Sequence, residues 1–232
     1  MEEPYAEFGS LVKEATDIKL MYETLWSKNL TPWETSEAHP YLREHSSELA
    51  FCPPKRVLVP FCGNAVELKW FYEKGLEVVG VEFVEKAVKK FFTQHNLKYE
   101  VKEIQEKIIY ETLDKRLKIY VSDFLDIHVN DIGTFDVIWD RRAQVALKPC
   151  DREKYSNLMK TFCKKEFTYF LFTFQFEKPG NPDGVPIPVS HEESKKMYDS
   201  WSQMKLVFQK DVMEDLSFSK SVGIEKIYYV SS

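Results

Sequence analysis

Residues 57–71 read VLVPFCGNAVELKWF, a stretch that predicts a strand, a tight turn and a helix. Residues 55–61 form a short apolar run with β-branched side chains, as expected of a strand that is buried on both faces. Residues 65–75 carry apolar side chains at helical spacing and end at Gly75, a common residue just beyond a helix. A strand–turn–helix unit of this kind is where many α/β proteins bind a nucleotide.

The turn contains a single glycine, Gly63, whereas dinucleotide-binding loops carry three. Several glycines are needed where the backbone must approach a pyrophosphate closely. An adenosine ligand without phosphates needs fewer, so the pattern favours S-adenosylmethionine over NAD or FAD. Because single-glycine turns are common, an ordinary turn in the core is the alternative interpretation.

Strand-like and helix-like patterns alternate along the rest of the chain. Strands are predicted at 76–83, 135–140, 168–176, 205–213 and 223–230, a hairpin within 99–121, and helices at 84–96 and 151–165 and around EESKKMYDSWS (192–202), with Asp151 as an N-cap. The alternation predicts an α/β, Rossmann-like fold with a mostly parallel seven-stranded sheet and helices on both faces. The last two strands have no helical crossover between them, so the last strand should be antiparallel. No repeat or linker divides the chain, which predicts a single domain over residues 1–232.

The composition is that of a globular protein with enough apolar residues for one core. Of the 232 residues, 44% are hydrophobic and 30% are charged. The net charge of −5 argues against binding to nucleic acid. No apolar run has the roughly 18–20 residues of a membrane span, and the acidic N-terminus is unlike a signal peptide. The four cysteines include no C-x-x-C pair, so we expect a cytoplasmic protein without a metal site.

An acidic residue, Glu82, ends the second predicted strand. In open α/β sheets, ligands bind beyond the carboxyl ends of the strands. Glu82 follows the glycine turn by about twenty residues, a spacing at which a carboxylate accepts hydrogen bonds from both ribose hydroxyls of a nucleoside. The alternative is a solvated acid at a strand end.

Two further acids lie at predicted strand ends. Asp123, next to Phe124, is placed to accept a hydrogen bond from an adenine amino group, or it caps a turn. Asp140 and Arg141 close the strand FDVIWD, where the reactive end of the cofactor would lie. This pair is either structural or functional, because the guanidinium of Arg141 stays charged and can orient an anionic group.

Taken together, four blocks of the sequence closely resemble the thiopurine S-methyltransferase family. The blocks are VPFCGNAVELKWF (59–71), GLEVVGVEFVEKAVKKFF (75–92), IGTFDVIWDRRAQVALKP (132–149) with Arg152 and Tyr155 after it, and GVPIPVSHEE (184–193). The resemblance runs from about residue 22 to the last strand. The chain departs from the family pattern at Asn64, where lysine is usual, and at Phe61, where leucine is usual.

The resemblance implies a class I methyltransferase fold, with S-adenosylmethionine as methyl donor and S-adenosylhomocysteine as product. The positions implied to contact the cofactor are Tyr22, Trp26, Trp33, Phe61, Gly63, Glu82, Asp123, Phe124 and Arg141. The resemblance also implies that residues 18–50 form a helical cover over the cofactor, with residues 1–17 mobile without ligand. Considered alone, the aromatic residues of this segment would equally suit a helix face packed on the core.

The implied acceptor is a small-molecule thiol, methylated by a monomeric enzyme. Arg141, with Asp140 before it, is the implied catalytic residue, acting as a stabiliser of the thiolate. The implied acceptor wall includes Trp33, Phe176, Pro186 and Lys220, and Lys220 is the nearest cation where the family often has an arginine. The acceptor is therefore left open between a thiopurine and a smaller endogenous or environmental thiol, including hydrogen sulfide. The alternatives are a halide/thiol methyltransferase and a cofactor-binding protein without turnover.

Overall fold

The computed structural model describes residues 3–45, 55–104, 106–176, 187, 189–211 and 223–231. In chain order the elements are α1 (Glu3–Glu14), α2 (Ile18–Lys28), α3 (Pro40–Glu44), β1 (Arg56–Pro60), α4 (Val66–Glu73), β2 (Glu77–Glu82), α5 (Glu85–Gln94), β3 (Tyr99–Ile104), β4 (Lys107–Thr112), β5 (Leu117–Val121), a 3₁₀ turn (Phe124–Asp126), α6 (Val129–Ile132), β6 (Phe135–Asp140), α7 (Ala143–Ala146), α8 (Pro149–Phe162), β7 (Cys163–Phe176), α9 (His191–Tyr198), β8 (Gln203–Asp211) and β9 (Gly223–Ser231). The chain forms two compact units. The central unit comprises residues 33–140 and 158–169, and the terminal unit comprises residues 1–32, 141–157 and 170–232.

The central unit is built on a sheet in the order β3-β4-β5-β2-β1-β6, followed by the first part of β7. Strand β1 pairs in parallel with β2 and β6, and β2 pairs in parallel with β5. The β1 and β2 strands are almost entirely buried, as their continuous apolar runs predict. Because parallel strands end at the same edge of a sheet, the turn after β1 lies beside the end of β2.

The predicted hairpin within 99–121 is confirmed, and the sheet has an additional strand at its edge. Strands β4 and β5 pair antiparallel, with Ile108 opposite Val121, and the turn between them contains the polar break Leu-Asp-Lys-Arg. Strand β3 pairs antiparallel with β4 and is mostly exposed. The described residues therefore contain nine strands instead of seven. The first arm of the predicted hairpin, β4, also joins the sheet, and β3, which was not predicted, extends it by one more strand at the edge.

The terminal unit contains the remaining part of β7, with β9 next to it and β8 outermost. The last two strands pair antiparallel, as the lack of a helical crossover predicts, since Gln203 lies opposite Ser231 and Asp211 lies opposite Ile224. One apolar cluster of this unit consists of Val145, Phe174 and Val189. This cluster packs residues of the α7 segment against the end of β7.

Helix boundaries follow local capping chemistry. The side chain of Asp17 accepts hydrogen bonds from the backbone N–H groups of Lys19 and Leu20, and α2 therefore begins at Ile18. The predicted N-cap at Asp151 is wrong, because α8 begins at Pro149 and Asp151 lies in its first turn. Proline suits the first helical position, where its missing N–H costs no hydrogen bond. No described helix has both the length and the apolar character needed to cross a membrane.

Candidate functional site

The turn between β1 and α4 has an unusual backbone. Phe61 and Gly63 both have φ near +48°, in the left-handed region. Glycine adopts this conformation freely, whereas a bulky aromatic residue such as Phe61 rarely does so. The ring of Phe61 packs against Phe124 with ring centroids 5.5 Å apart. Packing against Phe124 therefore helps to hold the turn in a conformation that local preference disfavours, as is frequent at binding sites.

The Glu82 carboxylate connects this turn to the start of α5. Its Oε2 atom accepts a hydrogen bond from the backbone N–H of Gly63 at 2.9 Å, and its Oε1 atom accepts one from the N–H of Val84 at 2.8 Å. The side chain is buried, so the alternative of a solvated acid is wrong. Burial raises the pKa of Glu82 to about 7, although the backbone N–H groups of Val84, Gly63 and Phe83 lower it. A carboxylate has about four acceptor positions, so these backbone N–H groups do not use all of its acceptor capacity.

Asp123 and Phe124 follow β5, the strand that pairs with β2. Asp123 accepts a hydrogen bond from the backbone N–H of Leu125 at 2.9 Å and caps the 3₁₀ turn. Phe124 is buried between Phe61 and Phe162, with 5.7 Å between the ring centroids of Phe124 and Phe162. The capping interpretation of Asp123 is confirmed. Its predicted contact with adenine stays a prediction.

Asp140 ends β6 and is fully buried. Its Oδ2 atom accepts a hydrogen bond from the hydroxyl of Tyr169 at 2.5 Å. Tyr169 was not singled out from the sequence, where it was one aromatic residue of the strand TYFLFTFQF. The hydroxyl of Tyr169 helps the buried carboxylate to satisfy its acceptor capacity, and this supports a structural role for Asp140.

A polar network of the central unit was also missed from the sequence. The Nδ2 atom of Asn64 donates to Glu34 Oε1 at 2.8 Å and to Gln94 Oε1 at 2.9 Å. Lys90 donates to both carboxylate oxygens of Glu34, at 2.8 and 2.6 Å. Asn64 is one of the positions at which the chain departs from the resembled family, and Glu34 directly follows Trp33. No sequence signal links these residues, because they are polar groups on separate segments.

Residues 141–157, which begin with Arg141, belong to the terminal unit, and so do Tyr22 and Trp26. Trp26 is buried on α2, and its packed position fits the interpretation of a helix face on a core. Arg142, which the sequence did not single out, has φ of 70° and lies over the ring of Phe174 at 4.4 Å. The roles of Tyr22, Trp26 and Arg141 at the cofactor stay predictions.

The acceptor wall is described only in part. Pro186 and Lys220 lie outside the described residues, and for Phe176 only the backbone at the end of β7 is described. Arg152 is buried, and it donates to Glu193 Oε1 at 2.6 Å and to the carbonyl oxygen of Ile187 at 2.9 Å. Arg152 therefore anchors Ile187, within the proline-rich stretch, to α8.

Cys62, at the centre of the turn, is a small buried residue. Burial, together with the charge of Glu82, raises the pKa of the Cys62 thiol well above its ordinary value. The thiolate is the nucleophilic form of cysteine, so this environment disfavours covalent chemistry at Cys62. Among the described residues, no group of three or more His, Cys, Asp or Glu side chains is arranged to hold a metal ion.

Comparison with known proteins places the chain among methyltransferases. A profile of the thiopurine S-methyltransferase family matches residues 19–230. Thiopurine S-methyltransferase of Bos taurus is 34% identical over 210 residues, covering 89% of this chain and 84% of the relative. The enzyme of the same name from Equus caballus is 34% identical over 206 residues, covering 86% of this chain and 82% of the relative.

A solved structure supports the fold. The Burkholderia thailandensis 1,6-didemethyltoxoflavin-N1-methyltransferase, solved with bound 1,6-didemethyltoxoflavin and S-adenosylhomocysteine, superposes with a TM-score of 0.63. It is 13% identical, and the match covers 98% of this chain and 90% of that protein. The predicted α/β methyltransferase fold is confirmed by this likeness.

Proposed function

Because the chain belongs to the thiopurine S-methyltransferase family, we propose that it transfers a methyl group from S-adenosylmethionine to the sulfur of a small thiol. It is an S-adenosylmethionine-dependent methyltransferase by family. The observation that carries the assignment of the site is the buried Glu82 carboxylate, which holds the Gly63 turn at the carboxyl edge of the sheet. The product of the cofactor is S-adenosylhomocysteine.

The proposed cofactor site uses the strand ends of the central unit. Glu82 binds the ribose hydroxyls, because its carboxylate faces the turn and retains acceptor capacity. Asp123 and Phe124 lie next to the adenine, with the Phe61–Phe124 ring pair supplying an apolar surface. Trp33 is assigned to the sulfonium end, since aromatic faces attract cations. The turn suits a nucleoside without phosphate groups, because it contains one glycine, Gly63, whereas close approach to a pyrophosphate needs several.

When bound, S-adenosylmethionine supplies an electrophilic methyl group on a sulfonium sulfur. The protein then has to position the acceptor and exclude water, which are effects of proximity and desolvation. Arg141 is assigned to stabilise the thiolate, the nucleophilic form of the acceptor. A thiol with a pKa near 8.5 is mostly protonated at neutral pH, so a cation next to the sulfur raises the reactive fraction. Asp140, held by Tyr169, acts by positioning the end of β6 from which Arg141 continues.

The proposed acceptor is a small neutral or anionic thiol, and thiopurines are one class within it. We place the enzyme in the cytoplasm as a monomer that acts on small molecules and binds neither nucleic acid nor a membrane. The net charge of −5 supports the proposal that it does not bind nucleic acid, and the lack of a paired-cysteine pattern supports the cytoplasm.

The decisive experiment is a methyl-transfer assay with radiolabelled S-adenosylmethionine against a panel of acceptors. The panel contains a thiopurine, an acidic aromatic thiol, an aliphatic thiol, hydrogen sulfide and iodide. We expect transfer to at least one thiol, with calorimetric binding of the cofactor. Faster transfer to iodide than to every thiol would assign the chain to halide methylation. Cofactor binding without transfer to any acceptor would overturn the proposed activity.

A further inference from the structure

The segment that follows Trp33 is tied to the central unit at two places. At its start, Glu34 bonds to Asn64 and Lys90. Five residues on, the backbone N–H of His39 donates to Oε1 of Glu67 on α4, at 3.3 Å. Asn64 immediately follows Gly63, and Trp33 immediately precedes Glu34. The hydrogen bond between Glu34 and Asn64 therefore joins the residues next to Trp33 and Gly63, two positions that the proposed function assigns to the cofactor site.

The contacts of Glu34 combine an ion pair with a hydrogen bond. Lys90 contacts both oxygens of the Glu34 carboxylate, and the side chains are 33% and 22% exposed. An ion pair that is partly withdrawn from water is screened less than one on the open surface. Asn64 is buried and adds a hydrogen bond to the charged carboxylate, a stronger type of bond than one between neutral groups. A shared network of this kind holds its members more firmly than separate pairs do.

The network connects three segments that are distant in sequence. Glu34 precedes the sheet, Asn64 lies on the turn after β1, and Lys90 and Gln94 lie on α5, the helix that begins next to Glu82. Two sets of contacts thus hold the same turn against α5. The Glu82 carboxylate bonds to the backbone of Gly63 and Val84, and the Asn64 side chain bonds to Glu34 and Gln94. The Asn64–Glu34 hydrogen bond joins the segment after Trp33 to this turn.

We propose that Glu34, Asn64 and Lys90 are positioning residues for the cofactor site, which hold Trp33 at a fixed place relative to the Gly63 turn. This inference rests on the proposed function. The network contributes to cofactor affinity by pre-organising the aromatic cover, since a segment that is already ordered loses less entropy when the ligand binds. It contributes little to the chemical step, because none of the three side chains is assigned to the reacting atoms.

The test exchanges the charges of Glu34 and Lys90 and measures the affinity for S-adenosylmethionine. Lys90→Glu and Glu34→Lys each place like charges together, and each should weaken S-adenosylmethionine binding about tenfold. The double variant Glu34→Lys/Lys90→Glu restores the ion pair and should recover affinity to within about threefold. In the double variant, Asn64 can face the new lysine at position 34 with its Oδ1 atom if the side-chain amide flips. The flip breaks no hydrogen bond of Oδ1, because this buried atom has no partner among the described residues.

Lys89→Glu is the matched control. Lys89 is the adjacent residue on α5, and its ion pair with Glu85 is more exposed and lies outside the network. This variant should bind the cofactor like the wild-type protein. A positioning role further predicts that the single variants raise the KM for S-adenosylmethionine while kcat at saturating cofactor changes by less than about twofold. A purely structural role would instead lower the melting temperature without this division between KM and kcat.

Three results would overturn the inference: wild-type affinity in both single variants, no recovery in the double variant, or an equal loss in Lys89→Glu. If a single variant is poorly folded, the milder Glu34→Gln replaces it; this variant removes the ion pair without repulsion, so a smaller but measurable loss of affinity is required. Failure of the wild-type protein to bind S-adenosylmethionine would count against the proposed function. Normal wild-type binding with unaffected variants would count against this inference alone.

Discussion

The carboxylate of Glu82 accepts a hydrogen bond from the backbone N–H of Gly63 at 2.9 Å, across 19 positions of sequence. This bond joins the end of β2 to the turn after β1, so one buried acid shapes the turn and is assigned to bind the ribose. The same burial that makes the acid effective as an acceptor raises its pKa to about 7. Turn geometry, ligand binding and protonation are therefore coupled at a single side chain.

Replacement of Glu82 by alanine should weaken S-adenosylmethionine binding by about 1–3 kcal/mol, because hydrogen bonds to a charged acceptor are lost. Isothermal titration calorimetry measures this directly. Glu103→Ala, an exposed acid on β3, is the control and should leave the affinity unchanged. Equal affinities for Glu82→Ala and the wild-type protein would show that the ribose assignment is wrong.

Cofactor affinity should also depend on pH through Glu82. Ribose hydroxyls donate to the ionised carboxylate, so binding lowers the pKa of Glu82 from its raised value of about 7. Affinity is then highest above that pH and falls as the pH drops below it, by up to about tenfold per pH unit. Calorimetry in buffers of different ionisation enthalpy should detect proton release on binding near neutral pH. Uptake of protons, or a profile that Glu82→Gln leaves unaltered, would contradict this coupling.

Arg141→Ala should reduce turnover more for weakly acidic thiols than for acidic aromatic thiols. A weakly acidic thiol depends on the nearby cation to form its thiolate, whereas an acidic aromatic thiol is already ionised. Values of kcat/KM for a series of thiols of graded acidity measure the difference. Arg141→Lys keeps the charge and should retain the wild-type trend in part. If all thiols lose the same factor, Arg141 does not stabilise the thiolate.

Tyr169→Phe should destabilise the protein by about 1–3 kcal/mol, because the buried Asp140 carboxylate loses the donor at 2.5 Å. The free energy of unfolding in urea provides the measurement. Tyr72→Phe is the matched control, since the hydroxyl of Tyr72 donates to Asp114 in an exposed setting. A similar, small effect of both substitutions would mean that the Tyr169–Asp140 bond contributes no more than a surface contact.

Local sequence patterns were sufficient to predict the strands that lead to the site. The β1 and β2 strands are short apolar runs buried on both faces, and such runs are visible without any tertiary contact. Glu82 ends β2 and Asp123 follows β5, so both acids were predicted at the edge where these parallel strands end. Strand β3 was missed because its sequence, YEVKEI, is largely exposed and gives no such signal.

Contacts between distant polar residues were decided only by the tertiary structure. Glu34 and Lys90 are 56 positions apart, and Asp140 and Tyr169 are 29 apart. Charged and hydroxyl side chains have the same appearance in sequence whether they are solvated or paired, since pairing depends on which backbone segments pack together. The sequence therefore determined the strands, the turn and the acids that end the strands. Folding of the central unit alone brought Asn64, Glu34 and Lys90 together, because packing of three separate segments places their side chains within hydrogen-bond distance.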